Sequence, residues 1–470
     1  MKKLLALCLL FANIKADSSK QDIQLNKFHY MDFFFLDILG NPKCITLPMD
    51  KAQNACKYGI FFDGSSVLGY TSINESDLLA RPDTHALFVL PWGMEETSSL
   101  AMMCDICTID GNLSTSSPRT ILKHVVKDAS NQGFSPYFGV EIEFYLLKKN
   151  DQGGYVPVDA FGYCEAMPNY VFKNFQTSLV NALKKTGIDV EKVHHEVAHG
   201  QYEVVLKYTD PIHAADSLVM TKYIIQAAAQ SQGLLATFMP KPFAHQNGSG
   251  MHMHVSFFDK ETENNAFYNE HAKNSLSDIG LHFIAGNLNR LKQCELLLNT
   301  SVNSFKRLVP GYEAPVYLCW GSKNRSAALR IPDITKFALH DTHGAPMRVE
   351  FRIPDGSCNP YLAFAAIIEA GLQGIKNKEK APEPIEHNLY HYSEDEIAEL
   401  GISTIATSLG EALDEYKNSE FVQLLLGGTL YNKILEIKEK ELSAYSKNEV
   451  HNAFVITDWE RNYHSIQNQE

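Results

Sequence analysis

Gly139-Val140-Glu141-Ile142-Glu143-Phe144-Tyr145-Leu146-Leu147 is the stretch on which the fold turns. Its Val, Ile, Phe, Tyr and Leu are the composition of a buried strand, yet glutamates interrupt it at i and i+2. Strand side chains alternate with period two, so Glu141 and Glu143 share one face while Val140, Ile142 and Phe144 share the other. Two adjacent carboxylates repel unless a cation lies between or above them.

Working outward, three further extended segments repeat the device. Met251-His252-Met253-His254-Val255-Ser256 carries two histidines, and Val349-Glu350-Phe351-Arg352-Ile353 a carboxylate and a guanidinium. His194-His195-Glu196-Val197-Ala198-His199-Gly200-Gln201-Tyr202-Glu203 adds two carboxylates around a glycine that bends the chain. Taken singly, each is also what an edge strand with a solvated face would carry. Together, five glutamates and a histidine with no cysteine among them describe oxygen-rich coordination suited to magnesium or manganese. Such ions keep waters and take further ligands from substrate phosphates, so phosphoryl transfer is the chemistry to expect.

Groups able to handle that phosphate follow. Lys306 to Pro315 reads as a Pro- and Gly-punctuated loop holding Arg307 and Glu313, and Asn324 to Pro332 places Arg325 and Arg330 five apart. Arginine forks match carboxylate and phosphate oxygens and neutralise charge in a transition state, although solvated surface charge has the same appearance. Asn247-Gly248-Ser249-Gly250 leads directly into the His252 strand, and its glycines let backbone approach a ligand. No Gly-Lys-Ser/Thr follows, so it is not a Walker loop.

The chain has 470 residues, 45% hydrophobic and 21% charged, enough for two or more domains of a folded globular protein. A net charge of -13 argues against general nucleic-acid or membrane binding. The single Cys-x-x-Cys, Cys104 and Cys107, has no second pair to complete a zinc site and reads as free thiols. Residues 1–20, with Lys2-Lys3 before the apolar run Leu4 to Ile14, have the layout of a secretory leader, too short to span a bilayer. Phosphoryl-transfer chemistry favours the cytoplasm, with export as the alternative if that leader works.

Phe28 to Ile38, the turn Gly40-Asn41-Pro42 and Cys44 to Leu47 predict a hairpin; strands follow at Gly59 to Phe62, Ala86 to Leu90 and Ala101 to Ile109. The polar stretch Asp110 to Arg119 marks a domain boundary. Downstream, helices are expected over Asp216 to Ala229, from the cap Asn359-Pro360 through Leu372, and around Tyr431, Leu435 and Leu442 on an amphipathic surface helix.

In order, Phe62-Asp63-Gly64-Ser65-Ser66, the paired Glu141 and Glu143, His195-Glu196-Val197-Ala198, Gly200-Gln201-x-Glu203, Lys241-Pro242, Asn247 to His252, Arg307 to Pro315, Asn324-Arg325-Ser326 and Asn359-Pro360-Tyr361-Leu362 resemble the motifs of type I glutamine synthetases, closest to the non-adenylylated subtype. The likeness runs from about residue 28 to Trp459-Glu460-Arg461.

That resemblance implies an α+β protein. A small amino-terminal β-grasp domain (21–112) would precede a large glutamine synthetase/guanido kinase-like catalytic domain (113–470) with a curved antiparallel sheet flanked by helices. It implies ligation of ammonia to L-glutamate with ATP through a γ-glutamyl phosphate. It also implies a homododecamer of two hexameric rings with active sites between subunits. One Mg2+ or Mn2+ would be held by Glu143, Glu196 and Glu203 and a second by Glu141, His252 and Glu350. Glutamate would meet Asn247, Gly248, Arg307 and Arg352, and phosphate Arg325, Arg330 and Arg348, with His254 and Ser256 lining the nucleotide site. Asp63 of a neighbouring subunit would take the ammonium proton, and Glu313 would close over the intermediate.

Some positions depart from the family pattern. Val140 and Ile142 stand where proline is common, His199 replaces a proline, and Ser72 lies where many relatives carry a feedback-sensing arginine. Tyr390 aligns with the tyrosine some relatives adenylylate, and no modification is expected there. A γ-glutamyl ligase for another amine shares the first half-reaction, but Asp63 to Ser66 and Glu313 favour ammonia. A non-catalytic assembly protein would lose metal ligands, and none is lost. A metal-dependent phosphohydrolase would leave the Asp63 segment unexplained.

Overall fold

The computed structural model describes residues 27–92, 98–152, 154–166, 170–310, 312–322, 324–333, 346–448 and 455–466, and the signal-like leader lies outside them. The aromatic run forms β1 (Tyr30–Leu36), returned by the turn as β2 (Pro42–Pro48), with Phe34 opposite Cys44. After α1 (Met49–Tyr58) come β3 (Ile60–Asp63), β4 (Asp77–Val89) and β5 (Ser99–Thr108), in the sheet order β2-β1-β5-β4-β3. The central β1–β5 pair is parallel. β4 begins nine residues before the expected Ala86, because a register shift between Pro82 and Leu87 lets two half-strands pair with one long β5.

β1 is apolar at consecutive positions because both faces of this sheet are covered. Met31, Phe33 and Phe35 enter a small core with Ala52 and Ala55 of α1, while Phe34 and Leu36 join the large core of the rest of the chain. Cys104 and Cys107 are buried free thiols.

The stretch read as a polar connection ends sooner than expected. Pro118 and Arg119 already open α2 (Pro118–Asn131), and Arg119 is 3% exposed. Its guanidinium reaches Asp83 at 2.9 Å, Asp105 at 2.5 Å and Asp216 at 2.7 Å, so one cation joins β4 and β5 to Asp216, far along the chain. Lys123 adds bonds to Asp83 and Asp105, and the Tyr361 hydroxyl donates to Asp216.

The second sheet contains β6 (Phe134–Lys149), β7 (Tyr155–Pro157), β8 (Val190–His195), β9 (Gln201–Thr209), β10 (Leu235–Thr237), β11 (Met251–Asp259), β12 (Tyr317–Gly321), β13 (Ala327–Arg330) and β14 (Val349–Phe351). Its main path is β12-β13-β14-β11-β6-β9-β8, antiparallel except for the β12–β13 pair. Helices α3 (Tyr170–Thr186), α4 (Pro211–Gln230), α5 (Asp278–Leu298), α6 (Val302–Arg307) and α7 (Pro360–Asn377) follow in the chain, then α8 (Glu394–Glu399), α9 (Leu409–Lys417), α10 (Glu420–Asn448) and α11 (Asp458–Ile466). Phe138, Val140, Ile142 and Phe144 of β6 turn into the core, where Phe138 stacks on Phe364 of α7 with ring centroids 4.0 Å apart.

The α7 cap is as expected: Asn359 Oδ1 accepts from Tyr361 N, and Asn359 Nδ2 also donates to Asp37 O and Ile38 O. α4 starts five residues before the expected Asp216, capped by Asp210 with Pro211 at its first position. In α10 the buried stripe runs through Tyr431, Ile434, Lys438, Glu441 and Tyr445, leaving Leu435 and Leu442 at its margin. Lys438 and Glu441 pair at 2.7 Å within it, a charged contact that hydrophobic spacing alone does not disclose.

Candidate active site

The other face of the second sheet is polar along its whole width. On β11, Met251, Met253, Val255 and Phe257 are buried while His252, His254 and Ser256 stand on the open side. Register then sets the polar residues against one another. His252 lies opposite Glu141, His254 opposite Glu350, and Glu350 opposite Arg330. Toward the other edge, Glu143 lies opposite Glu203 and Glu203 opposite His194. Directly opposed residues in a sheet share a face, so these side chains form one continuous surface.

Carboxylates and imidazoles interleave there. His252 Nδ1 is 3.2 Å from Glu141 Oε2, and His254 Nε2 is 3.1 Å from Glu141 Oε1. His252 also approaches Glu143 at 3.8 Å and Glu350 at 3.9 Å. His194 Nε2 is 2.9 Å from Glu203 and its Nδ1 3.5 Å from Glu196. Three sets gather ligand atoms within 4.8 Å of one another: Glu141, Glu203 and His252; Glu141, His254 and Glu350; and His194, Glu196 and Glu203. The buried nitrogens His194 Nε2 and His254 Nε2 have no aligned hydrogen-bond partner despite these short approaches. Two unpartnered imidazole nitrogens among converging carboxylate oxygens, an all O and N donor set, fit a hard divalent cation.

The charges divide the face in two. Burial pushes the Glu196 carboxyl up to about 8, helped by repulsion from Glu143 and Glu203. Burial also raises Glu143. At the other end burial is outweighed: the adjacent His252 and His254 imidazoles hold Glu141 well below the usual carboxylate range. Arg352, the two histidines and Arg330 likewise overcome burial to bring Glu350 down to about 2. Glu350 receives Arg352 on one oxygen and Arg330 on the other, each at 2.7 Å. His194 is raised above an ordinary histidine by the adjacent Glu203 carboxylate. His252 is raised too, its carboxylate neighbours outweighing burial and Arg352.

Local chain geometry holds these groups. Gly200 bends the chain between β8 and β9 at φ +66, and a Cβ there would lie 3.0 Å from Leu146 O. Gln201 Nε2 donates to Glu143 Oε2 at 3.1 Å and to Gly248 O at 3.0 Å, and Gly250 N donates to the same glutamate oxygen at 2.8 Å. Behind Glu196, Asp159 meets His195 Nε2 at 3.0 Å and accepts from Gly200 N and the Tyr202 hydroxyl. Neither Gln201 nor Asp159 was foreseen as a site residue. Gln201 sat inside a motif with the signal in plain view, whereas nothing local marks Asp159, 36 residues from His195.

Arg307 is not on a loop. It ends α6, and its guanidinium donates to the carbonyls of Ile353, Pro354 and Arg352. The Ser301 capping box terminates the chain entry to α6, which is why helix replaces the expected loop there. Gly248 packs so closely that a Cβ would meet Arg307 Cγ at 2.5 Å. Asn247 adjoins it, with its carbonyl accepting from the Tyr145 hydroxyl at 2.5 Å.

Arg352 reaches Arg325 O through Nε, and Arg348 Nε lies 3.2 Å from His254 Nδ1. Arg325 itself is exposed in the turn before β13. Glu313 is exposed at φ +58, a left-handed conformation that costs a non-glycine residue roughly 1 to 2 kcal/mol. Buried Lys241 lies beneath this loop, its ammonium brought down to about 8 by burial and by Arg307.

Asp63 stands apart, exposed at the end of β3 on the first sheet. It accepts from Ser65 N at 2.9 Å and from the Ser65 and Ser66 hydroxyls at 2.6 Å, which hold it below the usual range. The Tyr390 hydroxyl is half-buried and donates to Ala314 O at 2.6 Å. No helix among the described residues is long and apolar enough to cross a membrane.

Two family models match the chain: "Glutamine synthetase, beta-Grasp domain" over residues 27–109 and "Glutamine synthetase, catalytic domain" over residues 115–461. Glutamine synthetase of Methanococcus voltae is 40% identical over 449 residues, 94% of this chain and 97% of the relative. That of Thermotoga maritima is 38% identical over 446 residues, covering 94% and 98%. That of Staphylococcus aureus strain Mu50 is 35% identical over 462 residues, covering 96% and 99%. Among solved structures, one titled as a GmaS/ADP complex superposes with a TM-score of 0.79 at 26% identity, covering 93% of this chain and 96% of that one.

Proposed function

The chain belongs to the glutamine synthetase family, and from that premise we propose how its polar sheet face divides the work of amide synthesis. It is a glutamate–ammonia ligase, joining ammonia to L-glutamate at the expense of ATP. The observation that carries the division is the convergence of four glutamates and His252 on one face of one sheet, opposite an apolar face that fixes them, with Glu196 joining them from the turn after β8.

Glu143, Glu196 and Glu203 would hold one divalent cation, Mg2+ or Mn2+, and Glu141, His252 and Glu350 a second. Cations bound there supply charge neutralisation for the ATP phosphates and polarise the oxygen being phosphorylated. A cation at Glu350 would compete with Arg330 and Arg352, each paired with that carboxylate at 2.7 Å, and would free them to turn toward substrate.

Asn247, Gly248, Arg307 and Arg352 orient glutamate. Arg307 is held in place by three carbonyls, and the lack of a side chain at Gly248 lets the Arg307 stem pack against its backbone. The γ-carboxylate accepts the terminal phosphoryl group of ATP, which converts a poor acyl donor into a good one. Arg325, Arg330 and Arg348 spread the transferred charge, while His254 and Ser256 line the nucleotide. Asp63 of a neighbouring subunit helps bind ammonium and takes its proton; its exposure on the first sheet and its lowered proton affinity, which keeps it anionic, support the binding role. Glu313 closes over the acyl phosphate to exclude water. A homododecamer of two hexameric rings, working in the cytoplasm, would supply that neighbour.

The test is phosphate release and product identity with ATP, magnesium and glutamate, comparing ammonium with a panel of amines. Glutamine formation with ammonium is expected. Turnover with an amine and none with ammonium would overturn the proposal.

A further inference from the structure

Glu313 stands between two neighbours that are each tied down from a different direction. On one side, the Tyr312 ring lies with its centroid 3.8 Å from the Lys241 ammonium. Lys241 is 1% exposed; its Nζ also donates to Gln246 O, the carbonyl just before Asn247. Its backbone is fixed by a reciprocal pair with Asn303, Lys241 N to Oδ1 at 2.7 Å and Nδ2 to Lys241 O at 3.0 Å. On the other side, the Tyr390 hydroxyl donates to Ala314 O at 2.6 Å from the short 3-10 turn Leu389–His391. Between these anchors, Glu313 keeps a left-handed backbone at φ +58. A non-glycine residue holds that conformation only where its surroundings over-determine it. Neither Lys241 nor Tyr390 touches the reacting groups assigned above, so their placement calls for a different account.

We propose that Lys241 and Tyr390 are positioning residues that brace the Glu313 loop from both sides and so keep water from the acyl phosphate. The inference rests on Glu313 being the group that covers that intermediate. With the loop held, ammonia forms a C–N bond at the γ-carbonyl carbon, the C–O bond to phosphate breaks, and phosphate leaves with the bonding electrons. The amine proton passes to the base. With the loop loose, water attacks the same carbon and the same C–O bond breaks. Glutamate and phosphate are then released with a proton to solvent, and one ATP is spent without an amide.

The measurement is phosphate released per glutamine formed by the full-length protein with ATP, magnesium, glutamate and ammonium, repeated without ammonium. The native protein should release one phosphate per glutamine. Tyr390→Phe and Tyr312→Leu should each raise the phosphate released without amide formation about fivefold, the effect of losing one ordinary hydrogen bond or cation–π contact, and so lift the ratio above one. Tyr312→Phe keeps the ring and should keep the native ratio. Lys241→Arg should uncouple less than Lys241→Met. Lys241 is buried and its loss can unfold the chain, so the half-exposed Tyr312 carries the decisive variant. An unchanged ratio in both Tyr390→Phe and Tyr312→Leu, even with slower turnover, overturns the brace. Native protein that makes no glutamine from ammonium would instead overturn the assignment of Glu313 and leave the brace without its premise.

Discussion

Adding magnesium to metal-free protein should expel protons, by an amount the electrostatics of the second sheet sets. Glu196, pushed up to about 8 by burial and by Glu143 and Glu203, is about 90% protonated at pH 7, about 50% at pH 8 and about 10% at pH 9. A cation ligated by this carboxylate displaces that proton. Release should therefore approach one proton per subunit from Glu196 at pH 7, with additional shares from His194 and His252, whose proton affinity is also raised. Glu350, at about 2, contributes none.

The sign for stability follows from the same groups. A carboxyl or imidazole raised in the fold binds more protons native than unfolded. Each therefore stabilises the metal-free fold at low pH and withdraws that support as pH climbs toward its folded value. For Glu196 the window is about 4.5 to 8, with a slope of at most about 1.4 kcal/mol per pH unit. Isothermal titration in buffers of different ionisation enthalpy counts the protons, and thermal melts with and without magnesium across the window read the slope. Glu196→Gln should release about one proton fewer at pH 7. Release near zero at pH 7, or constant from pH 7 to 9, would refute the argument that burial and the repulsion of Glu143 and Glu203 keep Glu196 protonated until the metal binds.

Three other outcomes are expected. Gly248→Ala puts a methyl 2.5 Å from Arg307 Cγ and 2.6 Å from Pro240 O, and should raise the glutamate KM on the order of 100-fold while leaving the ATP KM nearly unchanged. Gln201→Ala removes the side-chain donor 3.1 Å from Glu143 and should weaken the magnesium activation constant about 10- to 100-fold, read from rate against free metal. Arg119→Met leaves Asp83 and Asp105 with Lys123 and Asp216 with the Tyr361 hydroxyl, and should cost about 3 to 5 kcal/mol, seen as a lower urea midpoint.

Much of the site was legible in the sequence because its signals are local. Alternation along β6 and β11 separates Glu141, Glu143, His252 and His254 from the core with no knowledge of what covers either face. The cap at Asn359-Pro360 marks the start of α7 for the same reason. What escaped is non-local. Arg119 looks like one more charge in a polar connection until Asp83, Asp105 and Asp216 close around it. Asp159 lies in a loop whose sequence says nothing of His195 and Tyr202. Lys438 and Glu441 satisfy each other in a buried stripe where spacing favours leucine.

By itself, then, the sequence determined the donor chemistry and the face on which each donor stands, because the two-residue repeat of an extended chain is a property of the backbone. Only the tertiary structure decided which donors meet. Glu143 faces Glu203, His252 faces Glu141 and Glu350 faces both His254 and Arg330 because of strand register. Register joins segments tens to more than a hundred residues apart, and the summed burial of the opposite, apolar face selects it.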